Sequence, residues 1–154
     1  MEEIEILLEK LQIQYTKIEH KAVYTVEEAK KYIVGIEGIG CKNLFLKNTN
    51  HQYYLYTLQE DKKADLKELC KITQSKNLRF ASQEELWDYL KLTPGSVTPL
   101  GIIHDKGKVI VILDKELQNK TILIHPNRNT ATIGISYQDL IKVIQYYKNK
   151  IIEV

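Results

Sequence analysis

The 154-residue sequence is short of the residues that most often betray a protein's chemistry: it has 3 prolines, 2 phenylalanines, 1 tryptophan and 2 cysteines. Cys41 and Cys70 form no CxxC pair and no zinc-ligand spacing, which excludes a disulfide framework and a zinc ribbon. They read as reduced thiols of a cytosolic protein, with a single disulfide as the alternative. No apolar run approaches the length of a membrane span, so no membrane partner is expected. Neither sign of charge dominates: 22 basic against 20 acidic side chains leave a net charge of +2, which neither demands nor excludes a nucleic acid. The first residues, Met1-Glu2-Glu3-Ile4-Glu5, are acidic where a secretory signal is basic, so the expected location is cytoplasmic. The sequence also lacks G-x-S-x-G, P-loop, G-x-G-x-x-G and H-E-x-x-H patterns, and it has no internal repeat or linker. A chain of this length with 44% hydrophobic residues is expected to form one domain, 1–154, around one sizeable core.

What proline there is sits in telling places. Two of the 3 prolines and two of the 7 glycines fall within Leu92-Thr93-Pro94-Gly95-Ser96-Val97-Thr98-Pro99-Leu100-Gly101. Proline fixes φ and lacks an N–H, while glycine permits close backbone approach. The stretch reads as a stiff loop, neither helix nor central strand, with exposed N–H groups and two small hydroxyls, Ser96 and Thr98. It is either a tight connector or a cradle for a ligand's carbonyl or phosphate. The third proline lies in His125-Pro126-Asn127, at the end of an apolar run.

Around these loops the pattern alternates between helix and strand. Ile4, Leu7, Leu8 and Leu11 predict an amphipathic helix over 2–12. Gln14 to Glu19 reads as a strand. Thr25 with Glu28 starts a helix over about 26–33. Glycines 35, 38 and 40 precede a hairpin of Cys41–Lys47 and Gln52–Leu58. Further helices are expected over 64–72, from the Ser82/Glu85 capping box to about Leu90, and after Ser136. Further strands are expected at 78–81, 101–104, 108–113, 121–124 and 131–134, with a short edge strand at Ile151-Ile152. Short connections between interspersed elements predict an α/β fold with a mixed, largely antiparallel, barrel-like sheet flanked by helices.

Several side chains are candidates for chemistry. Lys42 shares a strand face with Leu44 and Leu46; it is either a lysine snorkelling to water or a positive charge at a cleft mouth. Asn43 stands beside it. His125 is either a partly exposed turn residue or a ligand-orienting group. A metal site from His20, His104 and His125 has no supporting spacing, and neither metal nor cofactor is expected. Tyr53, Tyr54 and Tyr56 are either stacking platforms for bases or half-buried strand residues.

In order along the chain, four segments resemble the YbaK-like aminoacyl-tRNA editing domain, also called the prolyl-tRNA synthetase-associated domain. They are Glu19-His20 with Ala22-Val23-Tyr24-Thr25-Val26-Glu27-Glu28-Ala29, then Cys41-Lys42-Asn43-Leu44-Phe45-Leu46-Lys47, then Ala81-Ser82 and Glu84-Glu85-Leu86-Trp87 running into 92–99, and last His125-Pro126-Asn127 with Asn129-Thr130-Ala131-Thr132-Ile133. Lys42-Asn43-Leu44-Phe45 and Gly95-Ser96-Val97-Thr98-Pro99 look most like free-standing deacylases that clear alanine from tRNA for proline. One departure is His20-Lys21, where many relatives read His-Pro. The resemblance implies an aminoacyl-tRNA deacylase that hydrolyses the ester of mischarged tRNA(Pro), with the tRNA acceptor end as partner and an association with prolyl-tRNA synthetase. It implies Lys42 and Asn43 as catalytic residues, and Gly95, Ser96, Val97, Thr98, Pro99, His125 and His20 as substrate-binding residues. The alternatives are a deacylase of the same fold for cysteinyl- or seryl-tRNA, and a non-catalytic module that binds aminoacyl-tRNA.

Overall fold

A computed structural model describes residues 2–32 and 35–154. Its centre is the hairpin of β2 (Ile39–Asn48) and β3 (Tyr53–Gln59), paired antiparallel from Cys41 opposite Gln59 to Lys47 opposite Tyr53. Around it lie β1 (Thr16–Glu19), β4 (Leu78–Phe80), β5 (Ile110–Leu113), β6 (Thr121–Ile124), β7 (Ala131–Ser136) and β8 (Ile151–Glu153). The strand order is β1-β7-β6-β2-β3-β5-β8, with β4 added to β2. Pairing is antiparallel except β2 with β6, β3 with β5 and β5 with β8. The expected mixed sheet is therefore present, with β1 and β8 at the two ends of this order and β4 as a further edge strand.

Period-two alternation divides the core. Phe45, Tyr53, Leu55, Val111 and Leu113 point to a large cluster built with helices α1 (Glu3–Lys10), α4 (Gln83–Leu90) and α5 (Tyr137–Tyr146). Leu46, Tyr54, Tyr56, Leu58 and Ile112 point the other way, toward Leu69 of α3 (Leu66–Thr73). A strand covered on both faces needs apolar groups at every position, which is why Tyr53 through Leu58 are all buried. The tyrosines of β3 are thus core residues, not stacking platforms.

Capping residues set the helix starts as their spacing predicts. Ser82 and Glu85 form the reciprocal capping box of α4, and Ser136 accepts the Asp139 N–H of α5 at 3.0 Å. Thr25 accepts the Glu28 N–H at 3.1 Å to open α2 (Val26–Tyr32). The expected end of that helix at residue 33 lies outside the described residues.

One expectation is corrected. Residues 101–104 do not form a strand: Pro99–His104 is a 3-10 helix, and Pro94–Ser96 is a second 3-10 turn. Helical structure was excluded for this stretch because proline lacks an N–H. Each proline stands at the first position of its turn, where an N–H has no partner to lose and φ is already suitable. The helix is held against the end of α4 by close packing: a Cβ on Gly101 would lie 3.2 Å from Leu90 Cβ and 2.6 Å from Leu92 Cδ1 just beyond the helix.

Candidate active site

The site begins with a gap in the sheet. On the edge of β2 away from β3, β6 pairs with Ile39 and Gly40, and β4 pairs with Leu46 to Asn48. Among the described residues no strand covers Cys41 to Phe45 between them. The Gly40 carbonyl accepts the Glu60 N–H, and the Asn48 N–H donates to Gln52, so even-numbered residues of β2 turn their backbone groups to the β3 side. The Asn43 N–H and C=O therefore face the gap. The next odd position confirms the alternation, since the Phe45 carbonyl accepts the Ala81 N–H at 2.9 Å.

A cleft of about 140 Å³ opens over this gap, lined by Tyr24, Asn43, Glu60, Gly95, Val97 and His125 among others. Its floor is a recess of about 40 Å³ between Gly40, Asn43, Glu60, His125 and Thr132. A neighbouring hollow of about 280 Å³ shares Asn43, Pro94 and Val97 with the cleft and adds Leu44, Phe80 and Leu86. Roomier hollows of about 550 Å³ along 63–67 and about 700 Å³ beside β1 lie elsewhere on the molecule. Convergence of polar groups from separate elements, not size, singles out the smaller cleft.

Two of the polar lining groups, Asn43 and His125, are each held by a second residue. Buried Thr57 lies opposite Asn43 and donates to its Oδ1 at 2.6 Å, leaving Asn43 Nδ2 as a donor. His125 Nδ1 meets the Ala131 carbonyl at 2.9 Å. A carbonyl can only accept, so Nδ1 carries the proton and Nε2 is left with a lone pair. Burial pushes the imidazole below its ordinary value of 6.5, and nearby His20 adds to this against the Ala131 bond, so His125 is neutral at pH 7.

The 94–96 turn is seated with little tolerance. A Cβ on Gly95 would stand 2.9 Å from Tyr24 Cδ1 and 3.0 Å from Asn129 Nδ2. Asn129 clasps the Tyr24 loop, donating from Nδ2 to the Val23 carbonyl at 3.0 Å and accepting the Val23 N–H at 3.1 Å. Within the turn the Ser96 N–H is spent on the Thr93 carbonyl, while the Gly95 N–H falls at the start, where a 3-10 turn offers no acceptor.

These positions sort the predicted residues. Asn43, Gly95, Val97 and His125 meet at the cleft. Ser96, Thr98 and Pro99 are buried, and the Ser96 N–H, expected to be exposed, is bonded to the Thr93 carbonyl. Ser96 Oγ bonds within its turn to Thr93, and Thr98 Oγ1 accepts the Leu100 N–H. His20 stands behind the site: its ring nitrogens contact the Lys21 carbonyl at 2.8 Å and Thr132 Oγ1 at 2.9 Å, and it stacks on Tyr32. Lys42 lies on the opposite face of β2 from Asn43, across from Leu58 and in line with Leu44 and Leu46, as its spacing predicts.

The three histidines do not assemble. His20 and His125 have ring centroids 6.3 Å apart, but His104 faces Glu3 at 3.3 Å. Among the described residues no group of three or more His, Cys, Asp or Glu is placed to hold a metal. Both cysteines are free, and burial first, then the Glu60 charge, pushes the Cys41 thiol up to about 12, where it is no nucleophile. No helix among the described residues is long and apolar enough to cross a membrane.

Sequence reasoning missed Glu60, Tyr24, Thr57 and Thr132. Glu60 was hidden in the charged run Glu60-Asp61-Lys62-Lys63, which looks like a solvated turn. The hairpin register held its signal: continued one pair past Cys41 and Gln59, it sets Glu60 opposite Gly40, the residue that leaves room for its carboxylate.

A protein-family model described as an aminoacyl-tRNA editing domain matches residues 20–143. The prolyl-tRNA editing protein ProX of Acetoanaerobium sticklandii is 43% identical over 143 residues, covering 90% of this chain and 86% of that protein. The prolyl-tRNA synthetase associated domain-containing protein 1 of Danio rerio is 36% identical over 93% of this chain and 80% of its own length. A crystal structure described as a hypothetical protein shares the fold with a TM-score of 0.80 at 17% identity, covering 99% of both chains. The chain belongs to the aminoacyl-tRNA editing domain family, a family of aminoacyl-tRNA deacylases.

Proposed function

We propose that this chain, acting as one editing domain in the cytoplasm, deacylates mischarged tRNA(Pro) in trans, and that its substrate is alanyl-tRNA(Pro). The observation that carries the reading is the meeting of the Asn43 amide, the Gly95 turn and the neutral His125 ring over one small recess. The name of the Acetoanaerobium sticklandii relative, a prolyl-tRNA editing protein, supports tRNA(Pro) as the class of substrate. The need for alanine clearance is physical. A synthetic site shaped for proline admits alanine, because each missing methylene costs only about 1–3 kcal/mol. A recess of about 40 Å³ reverses the sieve by taking a methyl group and refusing a pyrrolidine ring.

An aminoacyl ester is reactive enough that water can attack it directly. Water adds to the carbonyl carbon and negative charge collects on its oxygen. The Gly95 N–H and Asn43 Nδ2 receive that charge; one such donor is worth roughly 3–4 kcal/mol. The bond from the carbonyl carbon to the ribose oxygen then breaks, the ribose oxygen takes the proton that the attacking water gives up, and alanine and free tRNA leave. His125 Nε2, an acceptor, orients the attacking water or a ribose hydroxyl. Val97 walls the cleft above the recess. Lys42 reaches around the uncovered edge of β2 on its four-carbon stem and holds the phosphate of the terminal adenosine. Association with prolyl-tRNA synthetase completes the proposal and is tested by co-purification.

A panel of mischarged tRNAs tests the reading. Hydrolysis of alanyl-tRNA(Pro) with sparing of prolyl-tRNA(Pro) is the expected result. Preference for cysteinyl- or seryl-tRNA overturns the choice of alanine, and binding without hydrolysis of any substrate makes the chain a non-catalytic module.

A further inference from the structure

The hydrolysis described above leaves one group of the cleft unused. Glu60 lines both the cleft and its recess, beside Asn43 and His125, with its side chain 14% exposed. Its backbone N–H closes the β2–β3 ladder on the Gly40 carbonyl at 3.0 Å, which fixes where the side chain starts. Gly40 lies directly beneath: any Cβ there would run into the carboxylate. The nearest cation, Lys30 of α2, stands 3.7 Å from Glu60 Oε1, beyond hydrogen-bond length, and is itself 52% exposed. Lys30 is shared with Asp61 at 3.4 Å. A carboxylate sheltered in this way and without a close donor is costly unless something arrives to pair with it. Burial accordingly pushes the Glu60 carboxyl upward, with Asp61 adding to the shift and Lys30 opposing it.

The substrate class carries the complementary group. Every aminoacyl ester has an α-ammonium one carbon from the carbonyl under attack. Glu60 lines the same small cleft as Gly95 and Asn43, the two groups proposed to hold the carbonyl oxygen. We propose that Glu60 binds the α-ammonium of the aminoacyl group through a charge-assisted hydrogen bond and so restricts the site to aminoacyl esters with a free amine. The inference rests on the reading of the cleft as a deacylase site. It adds a rule that the methyl-sized recess cannot supply: N-acylated esters, such as formyl- or peptidyl-tRNA, lack the cation, leave the carboxylate unpaired and are refused whatever their side chain.

Two measurements separate this inference from the reading beneath it. The first is binding of a non-hydrolysable analogue, 3′-alanylamino-3′-deoxyadenosine, and of its N-acetyl derivative, to the full chain by calorimetry. The native protein is expected to bind the free amine at least tenfold more tightly. Glu60→Gln is expected to remove that preference while binding the N-acetyl form as the native protein does. The second is the rate of hydrolysis of alanyl-tRNA(Pro) and N-acetyl-alanyl-tRNA(Pro). Glu60→Gln is expected to raise KM for the first at least tenfold and leave the second within twofold, and Glu60→Asp to restore part of the difference. Equal binding of both analogues by the native protein overturns the proposal. So does equal loss of both substrates in Glu60→Gln, which places Glu60 in folding or in handling water. Absence of hydrolysis with the amine preference intact overturns the deacylase reading and leaves the ammonium site standing.

Discussion

Thr57, wholly buried on β3, donates its hydroxyl hydrogen to Asn43 Oδ1 at 2.6 Å and so decides which end of the Asn43 amide faces the cleft. Without that hydroxyl the amide can rotate and present an acceptor where the oxyanion needs a donor. Thr57→Val keeps the shape and removes the bond. A single neutral hydrogen bond of about 1–1.5 kcal/mol corresponds to roughly a tenfold change in rate. The expected result is a kcat for alanyl-tRNA(Pro) about tenfold lower with KM little changed, and near-native turnover for Thr57→Ser. Single-turnover deacylation measures both, and an undiminished kcat in Thr57→Val removes Thr57 from the design.

Gly95 is required by proximity, not by an unusual φ. Its Cβ position is closed by Tyr24 at 2.9 Å and by Asn129 at 3.0 Å. Asn129 cannot retreat without releasing Val23. Gly95→Ala therefore pushes the 94–96 turn outward, carrying the Gly95 N–H away from the recess. Overpacking of this kind costs about 1–3 kcal/mol, or roughly 3–9 °C in Tm for a chain of this size. A misplacement near 1 Å lowers deacylation about 100-fold. Unchanged activity at unchanged Tm contradicts the seating of the turn.

These two contacts show which parts of the molecule the sequence made legible. The hairpin could be read because its apolar strands are bracketed by the Asn48-Thr49-Asn50-His51 turn, and its register follows from that turn. The starts of α4 and α5 could be read because Ser82 and Ser136 bond to groups three residues away. Local chemistry was enough in each case. It misled at Pro99–His104, where Ile102 and Ile103 suggest a strand; the decision there rests with the buried packing of Leu100 and Ile102 and with a proline placed to open a turn. The same divide runs through the site. Gly95, Val97 and His125 sit in proline-marked loops and were visible. Glu60 and Thr132 reach the cleft, and Thr57 reaches Asn43, through register and through partners far along the chain, which no local pattern records. His20 was visible as a residue but not as a support, because its role comes from Thr132, 112 positions away.

Acid should act on the site from a distance. Glu5, buried on α1, is gripped by Arg128 at 3.1 and 2.9 Å and by Lys17 at 3.2 Å. Arg128 belongs to the loop that follows His125. The guanidinium, outweighing burial and aided by Lys17, holds the Glu5 carboxyl at about 2. A carboxyl lowered from 4.5 adds stability that is complete above pH 4.5 and is lost as pH falls from 4.5 toward 2. The contribution at pH 7 is on the order of 3 kcal/mol. Glu5→Gln is expected to unfold at lower urea than the native protein at pH 7, and the gap should narrow steadily below pH 4.5. Glu85, also held at about 2, titrates alike in both proteins and leaves the difference intact. A gap independent of pH assigns the loss to packing instead of charge.

Lys42 can be separated from the groups that handle the ester by its response to salt. It stands on the face of β2 opposite Asn43, with the uncovered edge between Gly40 and Leu46 beside it. In the proposed role it meets a phosphate, and a phosphate contact is counted by counterion release. With a net charge of +2 the protein is expected to bind tRNA weakly and with a marked salt dependence. Lys42→Ala should raise KM at low salt and reduce the slope of log K against log salt by about 0.7, the value for one contact to a single strand. Lys42→Arg should keep the slope. If the slope of Lys42→Ala equals that of the native protein while kcat collapses, the ammonium acts on the ester, and the anchoring of the terminal nucleotide passes to other residues.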